Sequence, residues 1–196
     1  MAFPWHGRVA LFIDGQNTNS ANRDFGWRID WKRVLEYFSQ DALLVRAYYY
    51  TSLPEEVSSD WLNRLLHWLE NNGYTVYTKQ MKKRTRTLTS ESGEKQVLQG
   101  YQGDMDVYIA VDMMLLADRI DTAILFSGDS DMCRLVEAVQ DKGVRVVVVS
   151  TAMGDRPTIS IELREAADQF LDLADLSEHI GSRNGGRDQP SIPAEA

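Results

Sequence analysis

The sequence predicts an α/β fold, a mainly parallel sheet flanked by helices, and three observations lead there. Val9-Ala-Leu-Phe-Ile-Asp14 and Ala123-Ile-Leu-Phe-Ser-Gly-Asp129 are short apolar runs that close on an acid beside a glycine, as buried strands do. Val144-Arg-Val-Val-Val-Val-Ser150 is almost entirely β-branched, the composition of a strand covered on both faces. Stretches of helical period separate these runs, so consecutive strands read as βαβ units.

The elements follow in order. After the strand ending at Asp14, Asp30 is placed to cap a helix whose apolar stripe is Trp31, Val34, Leu35 and Phe38. Ala42 to Tyr50 is rich in β-branched and aromatic residues and reads as a strand. Trp61, Leu62, Leu65, Leu66, Trp68 and Leu69 mark the next helix, which Asn72-Gly73 ends through a left-handed cap. Tyr74 to Thr78 is the third strand. Thr85 to Leu98 holds Thr-rich arms around a Ser-Gly turn signal and fits a β-hairpin or a mobile loop. Then come an apolar-periodic helix from Asp106 to Leu116, the Ala123 strand, a helix from about Met132 to Lys142 stopped by Gly143, and the Val144 strand. Leu163, Ala167, Phe170, Leu171 and Ala174 recur at helical spacing, so Ile159 to Leu176 is expected to be helical and to pack back on the domain.

Composition narrows the function classes. With 196 residues and 43% hydrophobic content the chain can bury one sizeable core. No apolar run nears the ~20 residues that span a bilayer, so no membrane partner is expected and the cytoplasm is the default location. The single Cys133 excludes an internal disulfide and a cysteine cage for zinc, and three scattered histidines argue against a histidine-rich site. Cys133 itself reads as a small hydrophobe on the inner side of its helix. A net charge of −8 argues against nucleic acid, yet Lys79, Lys82, Lys83, Arg84 and Arg86 fall within eight residues that contain no acid. Such runs are commonly solvated loops; this one lies between two acidic clusters, where a bound phosphodiester would need a positive wall.

The acids carry the chemistry. Asp14, Asp129 and Asp131 sit where strands end, Gly103-Asp-Met-Asp106 stands ahead of a helix, and Asp112 lies within it. In an open α/β sheet, ligands bind beyond the carboxyl ends of the strands. Carboxylates that converge there repel one another unless cations hold them, which points to a divalent metal. Each acid also has a plainer use: Asp129 or Ser130 as a cap of the following helix, Asp104 as a turn acid, and Asp112, about 120° around the helix from Asp106, as a solvated or loop-bonded residue.

Phe12-Ile-Asp-Gly-Gln-Asn17, Gly103-Asp-Met-Asp-Val-Tyr-Ile-Ala-Val-Asp-Met113, Leu125-Phe-Ser-Gly-Asp-Ser-Asp-Met132 and Gly143-Val-Arg-Val-Val-Val-Val149 together resemble the NYN domain family, LabA-like branch, of the PIN-like nuclease superfamily. The resemblance spans roughly residues 8 to 176. It implies a three-layer PIN-like fold and metal-dependent cleavage, usually of RNA. Carried over by motif position, it makes Asp14, Asp106, Asp129 and Asp131 the catalytic and metal-binding set, with Asn17 beside the first acid, Asp112 as the second acid of the helix motif, and Asp104 as a further candidate ligand.

The expected chemistry uses two Mg²⁺ or Mn²⁺ ions about 4 Å apart, which activate a water and hold a phosphate oxygen. Asp14 is expected to be the central ligand, Asp129 its partner, and Asp106 and Asp131 direct or water-mediated. Asn17 suits orienting a water or phosphate. Gly15 and Gly128 are expected to let backbone approach the substrate. Lys79, Lys82, Lys83, Arg84 and Arg86 would contact RNA phosphates, and Trp27 and the Tyr48 to Tyr50 run could stack bases, part of that run being core by strand alternation. The expected substrate is single-stranded RNA. The alternative is a noncatalytic nucleic-acid-binding module with the same fold; a haloacid-dehalogenase type of phosphohydrolase fits less well, because Gln16 stands where its second motif acid is needed. Residues 1–7 form a lead-in, 8–176 the domain and 177–196 a disordered tail, and a homodimer is left open.

Overall fold

The computed structural model describes Trp5 and residues 7–22, 25–53, 60–89, 95–102, 105–154 and 157–182. Its elements are β1 (Gly7–Asp14), α1 (Gly15–Ala21), β2 (Arg28–Ile29), α2 (Trp31–Phe38), β3 (Ala42–Leu53), α3 (Asp60–Asn71), β4 (Thr75–Gln80), β5 (Lys82–Thr89) and β6 (Lys95–Gln102). They continue with α4 (Asp106–Leu116), β7 (Thr122–Phe126), α5 (Cys133–Gln140), β8 (Arg145–Ser150), α6 (Ile161–Ala166), β9 (Gln169–Asp172), α7 (Ser177–Ile180) and β10 (Gly181–Ser182).

Six strands build one sheet in the order β4-β3-β1-β7-β8-β9, and every neighbouring pair is parallel. Strand alternation divides the core into two layers. Val9, Leu11 and Ile13 of β1, with Ile124, Phe126, Val147 and Val149, face α2, α3 and α7. Ala10 and Phe12, with Ala123, Leu125, Val146 and Val148, face α4, α5 and α6. Val9 to Ile13 are wholly buried, which is why β1 reads as an unbroken apolar run. The order runs outward from β1 in two directions, through β3 to β4 and through β7 to β9. The switch point is therefore the crevice between the carboxyl ends of β1 and β7.

The amino ends of these two strands are tied as well. Arg8 donates from its backbone N–H to Asp121 Oδ2 at 2.7 Å and from Nη2 to Oδ1 at 2.9 Å, and Asp121 returns its own N–H to the Arg8 carbonyl. These Arg8 hydrogen bonds lower the Asp121 pKa to about 2.

Local signals account for most boundaries. Asp30 accepts from the Lys32 and Arg33 amides and starts α2. Gly73 at φ 93° and Gly143 at φ 82° occupy the left-handed region beyond α3 and α5, where a Cβ would be strained. The Thr-rich segment is a hairpin: β5 pairs antiparallel with β6, Lys82 opposite Gln102 and Thr89 opposite Lys95.

Two expectations are corrected. Ile159 to Leu176 is not one helix: α6 ends where Ala167 turns extended at ψ 143°, and β9 then pairs with β8. The reason is tertiary, since β8 would otherwise leave an open edge; Asp168 enters the pairing by giving its N–H to the Val146 carbonyl and accepting the Val146 N–H at 2.7 Å. Residues 177–182, read as tail, are folded, with α7 burying Ile180 and β10 pairing antiparallel with β2. The rest of that tail, 183–196, lies outside the described residues. Trp5 of the lead-in is fully buried against Tyr37 and Phe38.

Among the described residues no helix is long and apolar enough to cross a membrane. Asp30 is nearly buried and holds two helix amides, so Asp30→Ala should lower the unfolding free energy by about 1–2 kcal/mol, read as a lower urea midpoint at unchanged slope.

Candidate metal centre

The crevice at the switch point is assembled from helix starts. β1 ends at Asp14, which caps α1: its Oδ1 accepts from the Gln16 and Asn17 amides, both at 3.0 Å, and its carbonyl accepts from Thr18 Oγ1 at 2.6 Å. β7 ends at Phe126, one strand away, and the chain turns through Ser127 and Gly128 to Asp129. Asp129 accepts the Asp131 amide at 3.0 Å and so caps a single 3-10 turn over Ser130–Met132 that leads into α5. Both acids serve as caps, Asp129 as the plainer reading had it. Capping also fixes where their carboxylates stand.

A third helix start completes the arrangement. Asp106 is the first residue of α4, whose N-terminal end favours negative charge. Asp106, Asp129 and Asp131 each present a carboxylate oxygen, and the three oxygens lie within 4.8 Å of one another. Asp106 is half-buried and Asp131 exposed, so the group is reached from solvent. Three hard oxygen donors at this spacing, without nitrogen or sulfur, suit a hard divalent cation.

Asp14 stands outside that group of three, on the neighbouring strand end. Asn17 connects the two: its Oδ1 accepts the Gly128 amide at 2.9 Å, docking α1 onto the loop that carries Asp129. The carboxamide oxygen of Asn17 is thus committed to the protein. Gly128 is closed in from the other side, where Ser160 donates its N–H to the Gly128 carbonyl at 2.9 Å. A Cβ at Gly128 would collide with the Thr158 carbonyl and lie 2.7 Å from Ser150 Oγ. A Cβ at Gly15 would meet the Tyr49 ring at 2.7 Å. Both glycines are packed so closely against the protein that neither position has room for a side chain.

Asp112 belongs elsewhere. The Tyr50 hydroxyl, from the buried second half of β3, donates to Asp112 Oδ2 at 2.9 Å. Burial, and then the Asp112 charge and hydrogen bond, push the Tyr50 hydroxyl far above the usual phenol range. Tyr50 stacks on Tyr77, and Tyr77 adjoins Tyr108, over whose ring Lys79 Nζ stands 5.7 Å from the centroid. Tyr49 and Tyr50 are both fully buried, so neither can stack a base, while Tyr48 is half-buried. The parts played by Tyr50, Thr158 and Ser160 escaped the reading of the sequence; Gly128 was the one signal, since a buried glycine marks a close neighbour.

Asp104 lies outside the described residues, as do the side chains of Lys82, Lys83, Arg84 and Arg86. The backbone that bears those cations is β5. It leaves the edge strand β4 at Met81 and returns by β6 toward Met105, so the hairpin is inserted directly ahead of Asp106.

Comparison with known proteins bears on this arrangement. Residues 8–176 match the NYN domain family. The Low amplitude and bright protein LabA of Synechococcus elongatus is 35% identical over 189 residues, which cover 95% of this chain and 94% of that protein. A crystal structure of a protein of unknown function from Vibrio parahaemolyticus superposes with a TM-score of 0.63 at 24% identity, covering 88% of this chain and 96% of the other, and supports the fold.

Asn17→Ala should leave the buried Gly128 amide without its acceptor and lower stability by about 1–3 kcal/mol, while Asn17→Asp, which keeps an acceptor there but adds a carboxylate beside Asp14 and Asp129, should regain stability only when a divalent cation offsets the added repulsion. Chemical denaturation of the two variants beside the parent measures the difference.

Proposed function

Because the chain belongs to the NYN domain family, we propose that it is a metal-dependent endoribonuclease that cleaves single-stranded RNA at the carboxyl edge of its sheet. The observation that carries this reading is the convergence of Asp106, Asp129 and Asp131 at the switch point. Three carboxylates within 4.8 Å of one another repel, and a cation that joins them relieves the repulsion. Asp106, Asp129 and Asp131 would hold Mg²⁺ or Mn²⁺, with Asp14 adding a carboxylate from the adjacent strand. When bound, such ions supply an activated water and neutralise charge developing on the phosphate.

The remaining work falls to the chain. Asp14 and Asp129 are oriented by the amides they cap, and Asn17 keeps their two loops in one relation. The basic strand β5 supplies phosphate contacts through Lys82, Lys83, Arg84 and Arg86, with Lys79 at the root of the hairpin. An acidic cleft with a positive wall reads the backbone and not the base edges, so the enzyme would show weak sequence preference. A flexible single strand enters such a cleft more readily than an A-form duplex.

Labelled single-stranded RNA with Mn²⁺ tests the assignment. The parent should cleave and stop on addition of EDTA, and Asp129→Asn and Asp106→Asn should each lose activity at least about 100-fold, with melting temperatures in EDTA equal to or above the parent's. RNA binding without cleavage by the parent would instead favour the noncatalytic binding module.

The basic strand gives a separate expectation. Replacing Lys82, Lys83, Arg84 and Arg86 together by alanine should weaken RNA binding and lower the slope of log K against log salt by about 3, at ~0.7 for each single-strand phosphate that the protein no longer neutralises. Metal binding, followed by the Mn²⁺-induced rise in melting temperature, should not change.

A further inference from the structure

The acid group and the basic hairpin stand apart in the fold. Asp129 and Asp131 follow β7, while β5 leaves the sheet from β4, and β3 and β1 lie between them. At about 4.8 Å for each of the three steps between neighbouring strands, the acids and the root of the hairpin are separated by roughly 14 Å along the carboxyl edge. A nucleic-acid strand held at both places must cross that interval, and the side chains along it decide what the intervening nucleotides touch.

Aromatic rings fill it. Asp14, Tyr50 and Tyr77 are register partners across β1, β3 and β4, so the rings begin level with the acids. Tyr77 stacks on Tyr50 with centroids 5.5 Å apart and planes 13° apart, and Tyr108, in the first turn of α4, follows at 6.2 Å from Tyr77 with its plane tilted by 48°. Tyr50 is buried, Tyr77 half-buried and Tyr108 exposed by 43%, so the row climbs from the core to the surface. Strand alternation sets Lys79 on the same side of β4 as Tyr77, and its Nζ stands 5.7 Å from the Tyr108 centroid, within the range at which a ring holds a cation. Farther round α4, Val107, Val111 and Leu115 form an exposed apolar stripe on the side away from the sheet.

We propose that Tyr108 is the platform on which a base of the bound single strand stacks, and that Lys79 takes a phosphate beside that base. Asp106 and Tyr108 are two residues apart on one helix, with Cα atoms about 5.4 Å from each other, so a strand whose phosphate meets the acid group carries a neighbouring base to the ring. The pair of groups selects the occupant. A nucleotide joins a flat π-face to an anion, and here an exposed ring is joined to an ammonium; an aliphatic or acidic partner would use one of them and not the other. Tyr77 and Tyr50 back the ring from the protein side, so little freedom remains for a base to remove when it stacks. Every base has a π-face, which keeps this contact compatible with weak sequence preference. The inference rests on the reading of the protein as one that binds single-stranded RNA, and it holds for the catalytic and the noncatalytic form of that reading.

Binding of a short single-stranded RNA, followed by fluorescence anisotropy on an Asp129→Asn background so that no strand is cut, tests the platform. Tyr108→Leu should weaken binding at least about 5-fold at an unchanged salt slope, because stacking releases no counterions, while Tyr108→Phe, which keeps the ring, should bind as before. Lys79→Ala should instead lower the slope of log K against log salt by about 0.7. With 2-aminopurine placed at successive positions of the RNA, the base that stacks should be quenched on binding, and Tyr108→Leu should abolish that quenching. Equal melting temperatures of the Leu and Phe variants exclude a folding cause. Tyr108→Leu that binds as tightly as Tyr108→Phe, or quenching that survives in it, would overturn the proposal. Quenching that depends on Tyr108 in a protein that cuts no RNA with Mn²⁺ would uphold the platform and remove the nuclease reading, and cleavage by the parent with binding untouched by Tyr108→Leu would do the reverse. A parent that binds no RNA would overturn both.

Discussion

A strand paired on both edges and covered on both faces has no polar surface along its length. β1, from Val9 to Ile13, and β7 are such strands, side by side at the centre of the sheet. Chemistry can leave a buried strand only at its end. The acids of the candidate site accordingly stand at the end of β1, in the turn after β7 and at the start of the helix that packs above them, where the strand order reverses between β1 and β7.

Capping and ligand presentation are not competing uses for these acids. A carboxylate offers about four acceptor sites, and two amide hydrogen bonds engage one oxygen of Asp14. The cap holds the side chain in one rotamer, so the conformational entropy of arranging a site is lost during folding, before any ligand arrives. The same logic extends to the loops. The Asn17 bond to Gly128 and the Ser160 bond from the other side fix the turn that bears Asp129, and that tightness is why residue 128 has no room for a side chain.

Helix α4 joins the candidate metal centre to the surface. Its inner residues Ile109, Met113 and Leu116 pack on the sheet, its first residue enters the acid group, and Asp112 is held by Tyr50. With both acids drawn inward, the outer side has only apolar residues left to show. The inward placement of the acids and the exposed stripe are thus two consequences of one short sequence.

The sequence by itself determined where each central strand lies, that acids close β1 and β7, and which glycines end α3 and α5, because strand burial and left-handed caps are local requirements written in adjacent residues. Motif order along the chain likewise pointed to the family. Other features depended on distant partners and only the tertiary structure decided them. Whether Phe170 and Leu171 belong to a helix or a strand turned on the open edge of β8, more than twenty residues upstream. That Asp106 joins Asp129 and Asp131 while Asp112 is held by Tyr50 turned on which sides of α4 meet the turn after β7 and the strand β3. Periodicity names the apolar positions of a helix but not the side from which neighbours arrive, so only the fold decides that Val107, Val111 and Leu115 lie on the side away from the sheet.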